Sequence, residues 1–257
     1  MGKRNERASE SKMTTVRLAI EGHEHRDFKN PELKPGLLVS YYYLLKNQFE
    51  MRSNIFYRDW VLDSGAFSAY NSDAVIDLKD YIEVCKELKK SDSTLAEIFA
   101  LDVIGDHVAS LKNTEIMWSE GVEAIPCYHL NEPWSILDHL AKNYPKIALG
   151  GVAMLRGKKK AEWAKYCVGR IWPKKVHGFG FGSETSIMLI PFHSVDATNW
   201  KSAQRFGHWL SKGGAYIPVR KHTSQGINLE NEIEYFLDLE NRAKHRWEKE
   251  MKELAAL

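Results

Sequence analysis

Trp60-Val61-Leu62-Asp63-Ser64-Gly65-Ala66-Phe67-Ser68 is an apolar run that stops at a carboxylate and gives way to small and polar residues. The same pattern recurs at Ile98-Phe99-Ala100-Leu101-Asp102 and at Pro191-Phe192-His193-Ser194-Val195-Asp196-Ala197-Thr198. A carboxylate at the C-terminal tip of a buried strand faces away from the core, towards a ligand mouth. A single aspartate there is usually a turn former or a helix N-cap. Three of them in one repeating architecture point to an acid-lined cleft able to do nucleophile and base work.

Working outward, apolar, β-branched or aromatic runs recur at Leu37–Tyr43, Trp60–Leu62, Ile98–Leu101, Ala124–Tyr128, Lys146–Leu149, Val176–Phe181, Pro191–Val195 and Ala215–Val219. Segments of helical periodicity lie between them: Asp77–Lys90, Val108–Glu120, Trp134–Asn143, Ala161–Ile171, Thr198–Ser211 and, last, Leu229–Leu257 with Asn228 as its N-cap. This alternation predicts an α/β fold, a (β/α)8 TIM barrel of ordinary size. A doubly wound sheet is the alternative, but the glycine-rich βα turn it would favour near the start is absent from the sequence. We read residues 1–13 as a disordered tail and 14–257 as one domain. In such a barrel the residues after strands share the functional face. That places Asp63, Asp102, His129, Gly150, Gly151, Asp196 and Arg220 together, with Lys174 and Lys175 on the opposite face.

The chain has 257 residues, with Lys+Arg 36 against Asp+Glu 34. Overall charge therefore gives no argument for nucleic acid, and local patches must carry one. No apolar run approaches the ~20 residues that span a bilayer, and the polar start of the chain lacks a secretory h-region. The expectation is no membrane partner and a cytoplasmic location. Cys85, Cys127 and Cys167 form no CxxC pair. They predict a reducing compartment, with no disulfide framework, no zinc site and an inert core thiol at Cys127.

Asp63-Ser64-Gly65-Ala66-Phe67-Ser68 resembles the tRNA-guanine transglycosylase motif that holds the general base. Leu149-Gly150-Gly151-Val152 is similar to that family's glycine loop. His177-Gly178-Phe179-Gly180-Phe181-Gly182 followed by Ser194-Val195-Asp196 resembles the stretch that leads to its nucleophile. Val39-Ser40-Tyr41-Tyr42-Tyr43-Leu44 and Ser194-Val195-Asp196-Ala197-Thr198-Asn199-Trp200 look closer to the DNA-modifying branch, the DpdA-like DNA transglycosylases common in phages. The resemblance covers residues 36–220 and lies in the combination and order of short motifs. It implies exchange of guanine in DNA for a 7-deazaguanine of the preQ0 type. The partners would be DNA and the free base, in the host cytoplasm if the chain is phage-encoded.

Retaining exchange at C1′ needs a carboxylate nucleophile on one face of the sugar and an acid/base group near the base nitrogen. By resemblance Asp196 is the nucleophile and Asp63 the general acid/base. Asp102 is the base-recognition carboxylate, accepting from N1–H and the exocyclic amine. The other expected substrate contacts are Ser64, Phe67 and Phe179 as a base sandwich, His129, and Gly150-Gly151 with an amide for O6. Each also has a bland role, as turn, core aromatic or satisfied histidine.

Arg156, Lys158, Lys159 and Lys160, with Arg220 and Lys221, form basic runs on the same face, suited to a nucleic-acid backbone or to plain solvated surface. One departure stands out. The tRNA enzymes carry a C-terminal zinc site with three cysteines and a histidine, and no cysteine follows Cys167 here. No cofactor or metal is expected, and the oligomeric state is not legible. The open alternatives are action on tRNA, an N-glycoside hydrolase using the same acids, and a catalytically silent nucleic-acid-binding barrel.

Overall fold

The computed structural model describes residues 14–21, 28–46, 56–155, 157–201, 208–210, 216–218 and 227–255. The expected tail, Arg156, Arg220 and Lys221 lie outside them. The strands β1 (Thr15–Ile20), β2 (Gly36–Ser40), β3 (Trp60–Asp63), β4 (Leu95–Ile98), β5 (Cys127–His129), β6 (Lys146–Gly150), β7 (Lys175–Gly178) and β8 (Ser194–Ala197) form one sheet in the order 4-3-2-1-8-7-6-5. Every paired neighbour in it is parallel. A parallel bridge between Phe99 and Ile125 brings the two edges together. A cyclic order with sequential neighbours is that of a (β/α)8 barrel, as expected.

The helices are α1 (Tyr41–Lys46), α2 (Ala66–Tyr70), α3 (Leu78–Ser91), α4 (His107–Ser119), α5 (Trp134–Asn143), α6 (Gly157–Ile171), α7 (Glu184–Leu189) and α8 (Ile227–Ala255). Two start where an aspartate offers its side chain to free amides. Asp77 accepts from Lys79 and Asp80 N–H, and Asp106 from Val108 and Ala109 N–H. On α8, Glu240 accepts from Val16 N–H at 2.9 Å and from Arg58 at 3.0 Å. That ties the last helix to the first strand.

Strand residues alternate between two cores. Leu37, Val39, Trp60, Leu62, Ile147, Leu149, Val176 and Val195 pack outward with the helices, while Leu38, Val61, Phe99, Ile125, Cys127 and Ala148 pack together inside the barrel. The inner cluster is small because its parity also carries Arg17, Glu97, Lys146, His177 and Ser194, all turned into the barrel. Arg17 pairs with Asp59, and Lys146 with Glu97 at 2.7 Å. A buried ion pair contributes little net stability. Each outward aliphatic side chain contributes about 1.5–3 kcal/mol by burial, so the fold is held mainly by the strand–helix layer.

Three expectations are corrected. Ala215–Val219 is not a barrel strand: Tyr216–Pro218 (β10) pairs antiparallel with His208–Leu210 (β9), outside the ring. The first barrel strand is instead Thr15–Ile20, where Arg17 interrupts the apolar run. Within the expected helix at Thr198–Ser211, the described residues form a 3-10 turn, Asn199–Lys201, and the strand β9, and residues 202–207 lie outside the described residues. Buried Trp200 donates its indole N–H to Ala19 O at 2.8 Å, fastening the chain to β1 just after β8. Finally, the run Leu37–Tyr43 ends as a strand at Ser40. Tyr41 opens α1, its ring buried 4.8 Å from that of Tyr81.

Candidate active site

Asp63, Asp102 and Asp196 come together at the C-terminal mouth. Asp63 ends β3 and stands beside Ser40 of β2 in register. Burial pushes its carboxyl from an ordinary 3.8 up to about 7, and the charges of Asp102 and Asp196 push the same way. The amides of Gly65 and Ser64 work against the shift, Gly65 N–H donating to Oδ2 at 3.1 Å. A carboxyl poised near neutrality suits an acid in one step and a base in the next.

Asp196 lies within β8 and is buried. Its Oδ1 accepts the Gly180 amide at 2.6 Å and faces His177 Nε2 at 3.7 Å. No hydrogen-bond partner is found for Oδ2 among the described residues. Gly180 belongs to the turn after β7, and Gly182 in the same turn lies flat on β8. A Cβ on Gly182 would stand 2.5 Å from the Asp196 carbonyl oxygen and 2.6 Å from Ala197 Cα. The glycines of this stretch therefore let the β7 loop reach the carboxylate.

Asp102 follows β4 and is largely buried. His129 Nε2 lies 3.1 Å from its Oδ2, and His129 Nδ1 lies 2.9 Å from Glu132 Oε1. Glu132 also accepts the His129 amide at 3.0 Å. Burial opposes a charged imidazole here, but its hydrogen bonds to Asp102 and Glu132 raise its pKa above the ordinary value. An imidazolium between two carboxylates orients Asp102 and leaves its other oxygen to receive a donor. Glu132 was not anticipated. Its signal in the sequence is the spacing of three that returns its side chain to His129 across the β5 turn.

Asp102, Cys127 and His129 have the side-chain types of a cation site, with ligand atoms within 4.8 Å of one another. Nε2 lies 3.1 Å from Asp102 Oδ2, a hydrogen-bond distance. The Cys127 thiol is pushed up to about 12 by burial, which keeps it protonated. Asp102, His129 and Glu132 form a hydrogen-bonded triad beside the buried Cys127 thiol.

The remaining expected contacts divide. Gly150, buried, lies against Cys127 and His129, and Gly151 turns the chain out of β6 with φ +70. That is a left-handed conformation that glycine takes without strain. Ser64 is buried with Oγ accepting from Ala66 N–H at 3.4 Å, so its place is inside the turn. Phe179 packs within the barrel mouth, its ring 4.7 Å from Phe99 and 4.6 Å from His177. Phe67 stands 57% exposed on α2. No ring contact joins Phe67 to Phe179 among the described residues. Lys158 and Lys159 are exposed at the start of α6. Lys160 folds inward instead, donating to Gly180 O and lying 4.7 Å from the Phe181 ring centroid. Lys174, on the opposite face, donates to Tyr144 O at 2.9 Å. Among the described residues no helix is long and apolar enough to cross a membrane.

No family model and no curated protein matches the chain. Among solved structures it is similar to mutant tryptophan synthase alpha-subunits from the hyperthermophile Pyrococcus furiosus. One has a TM-score of 0.53 at 15% identity, covering 89% of this chain and 97% of that one. A second has a TM-score of 0.51 at 15% identity, covering 88% and 98%. A third has a TM-score of 0.51 at 14% identity, covering 89% and 97%. At such identities the likeness establishes the barrel fold and nothing about the reaction.

Proposed function

We propose that this barrel is a base-exchange transglycosylase that replaces guanine in DNA by a 7-deazaguanine through a covalent aspartyl–sugar intermediate. The observation that carries the reading is the trio of carboxylates at one mouth, with Asp63 raised to near neutral pKa by burial first and by the charges of the other two second. The motif resemblance supplies the substrate class. The ionised Asp196 attacks C1′ as the bond from C1′ to guanine N9 breaks. Protonated Asp63 gives its proton to the departing base. The incoming 7-deazaguanine then loses its N9 proton to ionised Asp63 and attacks C1′, and the ester to Asp196 breaks. Two displacements retain configuration, and the proton on Asp63 is restored. Asp102, fixed by His129, takes the donors of the guanine edge.

The target base starts inside a stack, so the nucleotide must be extruded, at a cost of a few kcal/mol that is least where pairing is already broken. Phe67, exposed on α2, would stack on it. The test is incubation of the protein with labelled 7-cyano-7-deazaguanine and duplex DNA, single-stranded DNA or tRNA, followed by mass spectrometry. Label in an intact DNA strand is the expected product. Label in tRNA alone moves the assignment to the RNA enzymes, and an abasic site makes the protein a hydrolase.

A further inference from the structure

A chain of polar side chains crosses the barrel interior and ends on Asp196. Lys146 Nζ donates to both Glu97 oxygens, at 2.8 and 2.7 Å, and to Ser194 Oγ at 2.9 Å. Three donations use all three protons of an ammonium group. Ser194 Oγ lies 2.9 Å from His177 Nδ1. Because Lys146 can only donate, Ser194 receives from it and has one proton left, which the unprotonated Nδ1 accepts. The ring proton then sits on Nε2. That atom is buried, has no hydrogen-bond partner, and faces Asp196 Oδ1 at 3.7 Å. The opposite tautomer would crowd two donors onto Ser194, strand its hydroxyl proton and set a lone pair against a carboxylate.

We propose that His177 is a positioning residue for Asp196, locked by Lys146 and Ser194 as the Nε2–H tautomer so that its N–H orients the carboxylate. The proposal rests on the reading of Asp196 as the nucleophile. The 3.7 Å separation is an open arrangement of a kind that tightens when substrate is bound. The ring is held by Phe99 and Phe179, whose centroids lie 4.7 and 4.6 Å away. The titratable and charged groups around it are Lys146 on β6, Glu97 on β4, His193 ahead of β8 and Asp196 itself. Asp196 in turn faces Asp63 on β3 and Lys160 on α6. Burial and Lys146 together hold the imidazole below its ordinary pKa, so it stays neutral while it donates.

Nitrogen NMR of the wild-type imidazole tests the tautomer without any substrate. His177 should report a protonated Nε2 and an unprotonated Nδ1, and Ser194→Ala should turn this into a tautomer mixture. In single-turnover exchange, His177→Phe, whose ring fits between Phe99 and Phe179, should lower the rate about tenfold or more. It should also move the acid limb of the pH profile up by about one pH unit, because an ionised carboxylate loses a donor. DNA affinity and the KM for the free base should stay within about twofold. His177→Gln, which keeps a donor at the far end, should restore most of the rate. A wild-type Nδ1–H tautomer or an imidazolium would overturn the proposal, and so would an unmoved acid limb in His177→Phe. Failure of the nucleophile reading looks different: no covalent enzyme–DNA species forms even in wild type, whatever the NMR reports.

Discussion

Asp63→Asn should make the protein more stable, and the gain should grow with pH. In the unfolded chain this carboxyl loses its proton near 3.8, while the folded barrel holds it to about 7. Between those values the folded state binds the extra proton, so the stability contributed by Asp63 falls as pH rises through that window. Below about pH 4 both states are protonated and the side chain costs nothing. Above about pH 7 both are ionised and the full penalty is present, on the order of 4 kcal/mol at 1.36 kcal/mol per pH unit. Asparagine keeps an oxygen for the Gly65 amide and never ionises. Urea unfolding of both proteins at pH 5, 6, 7 and 8 measures the difference. It should widen by up to about 1.4 kcal/mol per pH unit and level off above pH 7. Asp196→Asn, which removes one of the two repelling charges, should pull the plateau to lower pH. A difference that stays flat from pH 5 to 8 would mean that Asp63 is an ordinary solvated carboxylate, and the acid/base role would lose its physical basis.

Three further outcomes follow from the geometry. Asp196→Ala should abolish exchange and covalent trapping while DNA binding measured by fluorescence anisotropy stays nearly intact; more than a few per cent of wild-type exchange would sink the nucleophile assignment. Replacing exposed Lys158 and Lys159 by Ala should weaken binding at all DNA sequences and reduce the slope of log K against log salt by up to about 1.8. Lys160→Ala should act chiefly on rate, since its ammonium is spent beside Asp196, and equal binding losses at Lys158, Lys159 and Lys160 would contradict that division. Gly182→Ala should drive a methyl into the β8 backbone at Asp196 and Ala197, costing about 1–3 kcal/mol in thermal or urea unfolding along with most of the exchange rate. A variant with wild-type stability and rate would show that this close approach is dispensable.

The barrel was legible because its outward strand faces are apolar and recur with helices between them. Trp60–Asp63 and Lys146–Gly150 read correctly for that reason. The missed first strand and the misread last one have different causes. A barrel strand needs only its outward parity to be apolar, and the inward parity is free to carry charge. Thr15–Ile20 has Arg17 inside and reads as broken, although Val16, Leu18 and Ile20 are fully typical of a strand. Ala215–Val219 reads as a strand and is one in part, but pairing is a property of two segments. Nothing within Tyr216–Pro218 says that its neighbour is His208–Leu210.

The same asymmetry explains which parts of the site could be read in advance. Asp63, Asp102 and Asp196 end apolar runs, so they stand out as interruptions. Gly180 and Gly182 are visible as repeats, but their purpose, a loop close enough to give an amide to Asp196, appears only with the fold. His177, Lys146 and Ser194 sit within strands, where a polar residue looks like ordinary alternation towards solvent. A barrel inverts that rule, because both faces of its strands are buried and a polar inward residue needs a partner across the interior. Lys146 finds Glu97, His177 finds Ser194, and the leftover donor of that account is His177 Nε2, aimed at Asp196. The polar inward parity of a barrel strand is thus where residues that act on a mouth carboxylate are to be sought.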